Sequence, residues 1–395
     1  MSEHLKRRIG LPLLTAYGVG VMVGAGIYVL VGAVASAAGP WALLSFFLAG
    51  LIAAPTALSY AEFSTRLPEA AGEAAYIRDG LARPALGTLV GLAIVAAGTV
   101  SAAAVLRGGA GYLTAILPFD PLWTSLAMGL FLVGVAVIGV LESLALAAVF
   151  TAVELAGLGL VIWAGATAPP VVTPDTLPPL AFAGLGAGAV LAFFAFIGFE
   201  DIVNMAEETA APERTLPRAI LLSLGLTTVI YIAVAWAALR SVPAPVLSGS
   251  EQPLALVWQE TRGGSAAFLS TIAVFAALNG VLAQVVMAAR VLYGLGRTGG
   301  PLRVFHKAHP RFGTPVLASL VVGGAVIAGA VALPIATLAE TTSAILLSVF
   351  VLVNAALIAV KRRGTPARFT VPMAVPVTGL VLALAALGVT VAGRL

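Results

Sequence analysis

Charge is what this chain has least of. Asp, Glu, Lys and Arg together make up 10% of its 395 residues, against about 25% in a water-soluble domain. So few charges cannot cover a water-facing surface of this size, which excludes a soluble enzyme, a disordered chain and an ordinary nucleic-acid binder. Cysteine is absent, so disulfides, thiolate catalysis and cysteine-ligated metals are excluded. The histidines, His4, His306 and His309, all fall in expected loops or tails, and no histidine metal site is expected within a membrane span. Period-two alternation is missing from the apolar stretches, which argues against a transmembrane β-barrel.

What is present is hydrophobic length. Hydrophobic residues make up 60% of the chain, with 43 glycines and 24 prolines among the rest. A membrane-spanning helix needs about 20 apolar residues. Eleven stretches qualify: 10–37, 41–64, 85–107, 121–140, 143–165, 180–205, 217–239, 265–291, 314–333, 336–360 and 374–393. The chain therefore reads as an all-α polytopic membrane protein. Turn chemistry separates the spans, as at Gly39-Pro40, Arg83-Pro84 and Pro169-Pro170. The first stretch follows Lys6, Arg7 and Arg8. It is longer than the about 7–15 apolar residues of a signal peptide, so it is read as a retained span. The connections are too short to hold a soluble core of their own.

Basic residues test this count. The N-terminus and the 65–84, 206–216, 291–313 and 361–373 connections, with their membrane edges, hold 17 of the 21 lysines and arginines. Arg107, Arg240, Arg262 and Arg394 fall on the other side. The positive-inside rule places the N-terminus in the cytoplasm of a cell (plasma or inner) membrane. The basic balance is a matter of topology and calls for no nucleic-acid partner; the lipid bilayer is the partner expected.

Two spans break the rules of a membrane helix. Span 1 carries Gly18, Gly20, Gly24, Gly26 and Gly32, and span 6 carries Ile197-Gly198-Phe199-Glu200-Asp201. Glycine weakens a helix by about 1 kcal/mol relative to alanine, and unwound backbone at membrane depth survives only where it is buried or lines a cavity. Span 1 opens a block of five (10–165) and span 6 opens a second block of five (180–360), leaving 374–393 as an extra helix. Paired interrupted helices in corresponding places point to a transporter site between inverted repeats. The half-helix restarting after a break offers free N–H groups that suit a carboxylate, while unwound carbonyls suit an ammonium or small cation. An amino acid carries both. The competing reading is that Gly20 and Gly24 merely let helices pack closely.

Ionisable groups inside spans cost at least about 2.5–3.5 kcal/mol each, so each is a functional candidate. On a continuing α-helix Glu200, Asn204 and Glu207 share one face, and Asp201 and Glu208 another. These acids suit a cation pathway, a pairing with Arg214 and Arg218, or, for Glu200, a helix cap. Glu154 lies about eleven residues into span 5, roughly 16 Å deep, and is a candidate proton carrier or a partner for a neighbouring helix. Glu62 ends span 2 as a gate, a salt bridge or an interfacial acid. Asn279 and Asn354 either line the pathway or join helices, and Arg107 and Glu340 sit near the outer ends of spans 3 and 10.

These residues resemble a known family. Gly20-Val21-Met22-Val23-Gly24-Ala25-Gly26-Ile27-Tyr28 is similar to the first helix of the amino acid–polyamine–organocation (APC) superfamily. Tyr60-Ala61-Glu62 through Pro68-Glu69-Ala70-Ala71-Gly72-Glu73-Ala74-Ala75-Tyr76 resembles its second-helix signature. Phe193 to Asp201, Pro212-Glu213-Arg214-Thr215-Leu216-Pro217-Arg218 and His309-Pro310-Arg311-Phe312-Gly313 resemble its cationic amino acid transporter branch. The resemblance implies a LeuT-type 5+5 inverted repeat with spans 1 and 6 discontinuous, and secondary amino acid transport. It implies that Gly24, Ala25, Gly26 and Ile27 bind the substrate carboxylate. Carbonyls of Val21, Met22, Phe194, Ala195 and Ile197 would bind the amine, and Phe196 or Phe199 would close over it. Proton-coupled relatives often have a lysine in span 5, at or near the position of Glu154, so the coupling proton or cation is left open. No cofactor or metal is called for, and no catalytic constellation lies within the spans. The alternatives are a polyamine or organocation carrier and a non-translocating amino acid receptor of the same fold.

Overall fold

A computed structural model describes residues 9–67, 72–138, 144–171, 177–206, 208–298, 300–364 and 366–392. The helices run α1 (Leu11–Ala38), α2 (Ala42–Arg66), α3 (Gly72–Leu81), α4 (Pro84–Thr114), α5 (Pro121–Ile138), α6 (Leu144–Thr167) and α7 (Phe182–Ala195). They continue with α8 (Pro212–Ser241), α9 (Ala244–Ser248), α10 (Pro253–Arg262), α11 (Ala267–Leu295), α12 (Val316–Ala332), α13 (Ile335–Arg362) and α14 (Ala374–Ala392). Among the described residues there is no β-strand, only an isolated bridge between Ile9 and Thr209.

Proline sets many of these starts. Pro12, Pro84, Pro121, Pro212 and Pro253 stand at or next to the first position of their helices, where the missing N–H has no helical partner to lose. Among the described residues nine stretches are long and apolar enough to cross a membrane, and two shorter apolar helices, Leu11–Gly24 and Val316–Ala332, complete the set. All eleven expected segments are found as apolar helices. α4 runs on to Thr114, beyond the expected end at 107, because the small residues Gly108 to Gly111 stay helical. α8 begins at Pro212 and carries Pro217 inside its first turns. α3, α9 and α10 are short helices in connections.

The bundle is apolar on its rim as well as in its core. Leu130, Phe131, Val229 and Val381 are exposed, as expected where lipid tails replace water. α1 runs through the middle, packed on α6, α7 and α8, while α4 packs on α11, α12 and α13. The two ends of the bundle differ in chemistry. At the N-terminal end Ile9 meets Thr209, Arg368 pairs with Glu213 at 2.6 Å, and the Arg363 guanidinium donates to the Asp79 carbonyl. At the opposite end Arg240 donates to the Ala168 carbonyl, Arg107 to that of Ala330, and Arg262 lies 3.8 Å over the Trp163 ring. All five tryptophans, Trp41, Trp123, Trp163, Trp236 and Trp258, stand at that opposite end, as interfacial anchors do.

Candidate binding site at two broken helices

Helix α1 is interrupted at Gly24, whose φ of −13° and ψ of −156° are not helical. α7 stops at Ala195, passes through a turn over Phe196 to Phe199, and resumes as a tight 3-10 helix over Glu200–Met205. The two breaks touch. Gly198 has φ +125°, a region L-residues rarely enter, and a Cβ there would lie 2.7 Å from Val21 Cγ1 and 3.2 Å from the Met22 nitrogen. A Cβ on Gly26 would lie 3.3 Å from Ala195 Cα. Around Gly24 an added Cβ meets nothing within 4 Å, so open space lies beside the interruption.

One side chain joins the two ends. The Tyr231 hydroxyl, on α8, lies 2.5 Å from the Met22 carbonyl oxygen and 2.7 Å from that of Ala195. These belong to the last turns of the first half of α1 and of α7, where a helix has no partners for its carbonyls. The carbonyl ends of both half-helices therefore converge on one buried hydroxyl, and the N–H end of the second half of α1 starts beside them. Sequence reasoning missed Tyr231, because a tyrosine in the middle of an apolar span carries no local signal.

Met22, Ile27, Phe194, Ala195, Phe196, Ile197 and Phe199 are all buried around the breaks, and Val21 is half-buried. The Ala25 side chain lies outside the described residues. The two candidate closing aromatics point into different clusters. Phe196 packs edge-on to Tyr231, with centroids 5.1 Å apart, and Phe199 lies 5.7 Å from Tyr60 and 5.4 Å from Phe350.

Towards the N-terminal end a cavity of about 10 Å³ is lined by Ile197, Glu200, Asp201, Ser101, Gln284 and Met287, among others. That is room for about one water molecule. Glu200 Oε2 accepts the Gly198 N–H at 3.0 Å, so it ties off the restart of the chain. The chain does not continue as an α-helix directly after Gly198, as the expected common face of Glu200, Asn204 and Glu207 assumed. The stretch is a 3-10 helix, in which residues three apart eclipse. The Asn204 side chain and Glu207 also lie outside the described residues. Among the described residues neither Glu200 nor Asp201 pairs with Arg214 or Arg218.

Glu154 is buried on α6 against α1. Its backbone carbonyl accepts the Tyr28 hydroxyl at 2.8 Å, and its Oε2 is buried with no hydrogen-bond partner. Glu62 is buried too. It accepts from Arg66 Nη2 at 2.5 Å, from Lys361 Nζ at 2.7 Å and from the Val371 N–H at 2.8 Å. Asn354 joins helices: its Oδ1 accepts from Ser59 at 2.7 Å and its Nδ2 donates to Thr56 at 2.9 Å. Asn279 is half-buried on α11 and does not line this cavity.

A further acid emerges only in the structure. Glu73, on the connecting helix α3, is buried and accepts the Tyr60 hydroxyl at 3.3 Å. Burial pushes its carboxyl up to about 7, Asp201 nearby adds to the shift, and hydrogen bonds from its own backbone and Tyr60 oppose it.

An all-helical membrane protein with two broken helices meeting at mid-bundle has the build of a membrane transporter. The profile of the amino acid permease family matches residues 9–393, and the chain belongs to that family. It is 32% identical to cationic amino acid transporter 9, chloroplastic, of Arabidopsis thaliana, over 78% of this chain and 58% of that protein. It is 27% identical to branched-chain amino acid permease BcaP of Bacillus subtilis, over 96% of this chain and 87% of the relative. It is 29% identical to the methylthioribose transporter of Bacillus subtilis, over 97% of this chain and 87% of the relative.

Proposed function

We propose that this protein is a secondary active transporter that moves amino acids across the cell membrane by alternating access, with its N-terminus in the cytoplasm. The observation that carries the reading is the convergence of the two half-helix ends on Tyr231. The carbonyl ends around Val21, Met22, Phe194, Ala195 and Ile197 suit the substrate ammonium. The N–H groups at Gly24, Ala25, Gly26 and Ile27 suit its carboxylate. Residues 10–165 and 180–360 act as the two inverted repeats, with 374–393 as an added helix. α1, α2, α7 and α8 rock against α4, α5, α11 and α12.

Glu154 is the coupling group in this reading. A buried carboxyl oxygen without a partner, beside the break in α1, is placed to hold a proton or a cation as the site changes access. Asp201 and Glu200 neutralise the narrow path towards the cytoplasm, and Glu62 holds α2 to α13 on that side.

The experiment is uptake of labelled amino acids into proteoliposomes, with and without an inward proton gradient, for the parent and Glu154→Gln. Gradient-stimulated uptake in the parent and not in the variant supports transport coupled through Glu154. Uptake only against preloaded amino acid, indifferent to the gradient, makes the protein an exchanger and Glu154 structural. Binding without uptake under either condition makes it a receptor and ends the transport reading.

A further inference from the structure

A larger cavity lies at the tryptophan-bearing end. It measures about 360 Å³ and is bounded by the last turn of α4, the start of α5, Glu251 just before α10, and the turn between α12 and α13. That volume falls in the range of small-molecule pockets, about 300–1,000 Å³. Gly111 brings no side chain to that turn of α4, and a Cβ there would reach Glu251.

Two charges of opposite sign line the cavity without reaching each other. Arg107 is half-buried, and its Nη1 donates to the Ala330 carbonyl at 2.9 Å and, at 3.5 Å, to that of Val331. A guanidinium has five N–H donors, so most of its donating capacity is left over. Glu251 makes no ion pair with Arg107 or with any other cation among the described residues. Asp120, on the same wall, spends Oδ1 on the Leu122 N–H at 2.8 Å, at the start of α5. Leu122, Val331 and Ile335 supply an apolar wall.

The cavity stands just outside a closed seam. The Tyr112 hydroxyl, one residue past Gly111, donates to the Tyr28 carbonyl at 2.7 Å and lies 3.4 Å from the Leu254 N–H. Tyr28 directly follows Ile27 at the break. On the other side of the same α4 turn, Gly108 packs against Val29. The Tyr112–Tyr28 contact thus joins the turn of α4 that lines the cavity to the half of α1 that follows the break.

We propose that this cavity is a second binding site for an aliphatic α-amino acid, in which Arg107 takes the carboxylate and Glu251 the ammonium before the molecule passes inward. A guanidinium matches a carboxylate in two parallel hydrogen bonds. The Glu251 carboxylate, beside Gly111 on the lining of the same cavity, fits the opposite charge of the same molecule. The inference rests on the amino acid transport reading.

The test is saturation binding of labelled leucine to the full chain in nanodiscs. Two leucines per chain in the parent, and one in Arg107→Gln and in Glu251→Gln, support the site. Leucinamide and N-acetylleucine, each lacking one of the two charges, should compete for the lost component at least tenfold less well than leucine. The exchanged pair, Arg107→Glu with Glu251→Arg, should regain the second leucine, since a zwitterion binds in either sense. A parent that binds one leucine, unchanged in the variants, overturns the second site and leaves transport standing. A parent that binds no leucine but takes up other amino acids also overturns it. Loss of both binding and uptake in the parent sinks the transport reading itself.

Discussion

Lys361 Nζ and Glu62 Oε2 stand 2.7 Å apart, although they are 299 positions apart in the chain. Glu62 also holds Arg66 and the Val371 N–H, so one carboxylate serves two cations and ties α2 to α13 and to the approach to α14. Removing the anion takes the common partner from two half-buried cations, whereas removing one cation leaves a pair. Glu62→Ala should therefore cost about 3–5 kcal/mol, and Lys361→Ala clearly less. Thermal unfolding of both variants in detergent measures this. Equal losses would mean that Arg66 takes no part of the load.

Tyr231→Phe removes the hydroxyl and leaves the Met22 and Ala195 carbonyls without it. Unsatisfied buried polar groups cost about 1–3 kcal/mol, so uptake should fall at least tenfold in a variant that still folds. Parallel uptake and thermal-midpoint measurements check this. Parent-like uptake would show that the convergence on Tyr231 has no part in transport.

Gly198→Ala should abolish uptake, because φ is +125° and the added methyl would strike Val21. Gly134→Ala in α5 is the control: nothing lies within 4 Å of its added Cβ. That change should be neutral or stabilise the helix by up to about 1 kcal/mol. Expression level and uptake of the two variants side by side decide it.

Glu73 sets a pH dependence of stability. Its carboxyl is raised to about 7 in the fold, from an ordinary value of 4.5. The folded state therefore holds a proton that the unfolded chain releases, and stability falls as pH rises from about 4.5 to about 7. The full difference is on the order of 3 kcal/mol. The groups around Glu73 are Tyr60 on α2 and the acids Asp201 and Glu200 on the stretch after the α7 break. Melting curves between pH 5 and 8 should show a falling midpoint in the parent and a flatter one in Glu73→Gln. Identical slopes would remove Glu73 from the account.

The spans, their order and the two interruptions were legible in the sequence because each is a local property. A run of apolar residues long enough to cross a bilayer has few other readings, and glycines in mid-span mark where a helix fails. What joins the interruptions was not legible. Tyr231 meets Met22 across 209 residues, and Asn354 meets Ser59 across 295. No periodicity encodes such a meeting. The face expected for Glu200 and Glu207 assumed the α-helical period, which the 3-10 turns after Gly198 do not keep. Glu73 was overlooked for a related reason. It sits in a polar-looking connection, and only the packing of α3 on α4 and α13, with Tyr60 of α2 against it, buries it.

Because every tryptophan stands at one end of the bundle, the protein's ultraviolet emission reports on that end alone. Iodide added to one face of sealed vesicles should quench the molecules inserted with that end towards it and spare those facing the other way. The unlabelled chain thus carries its own compass for insertion.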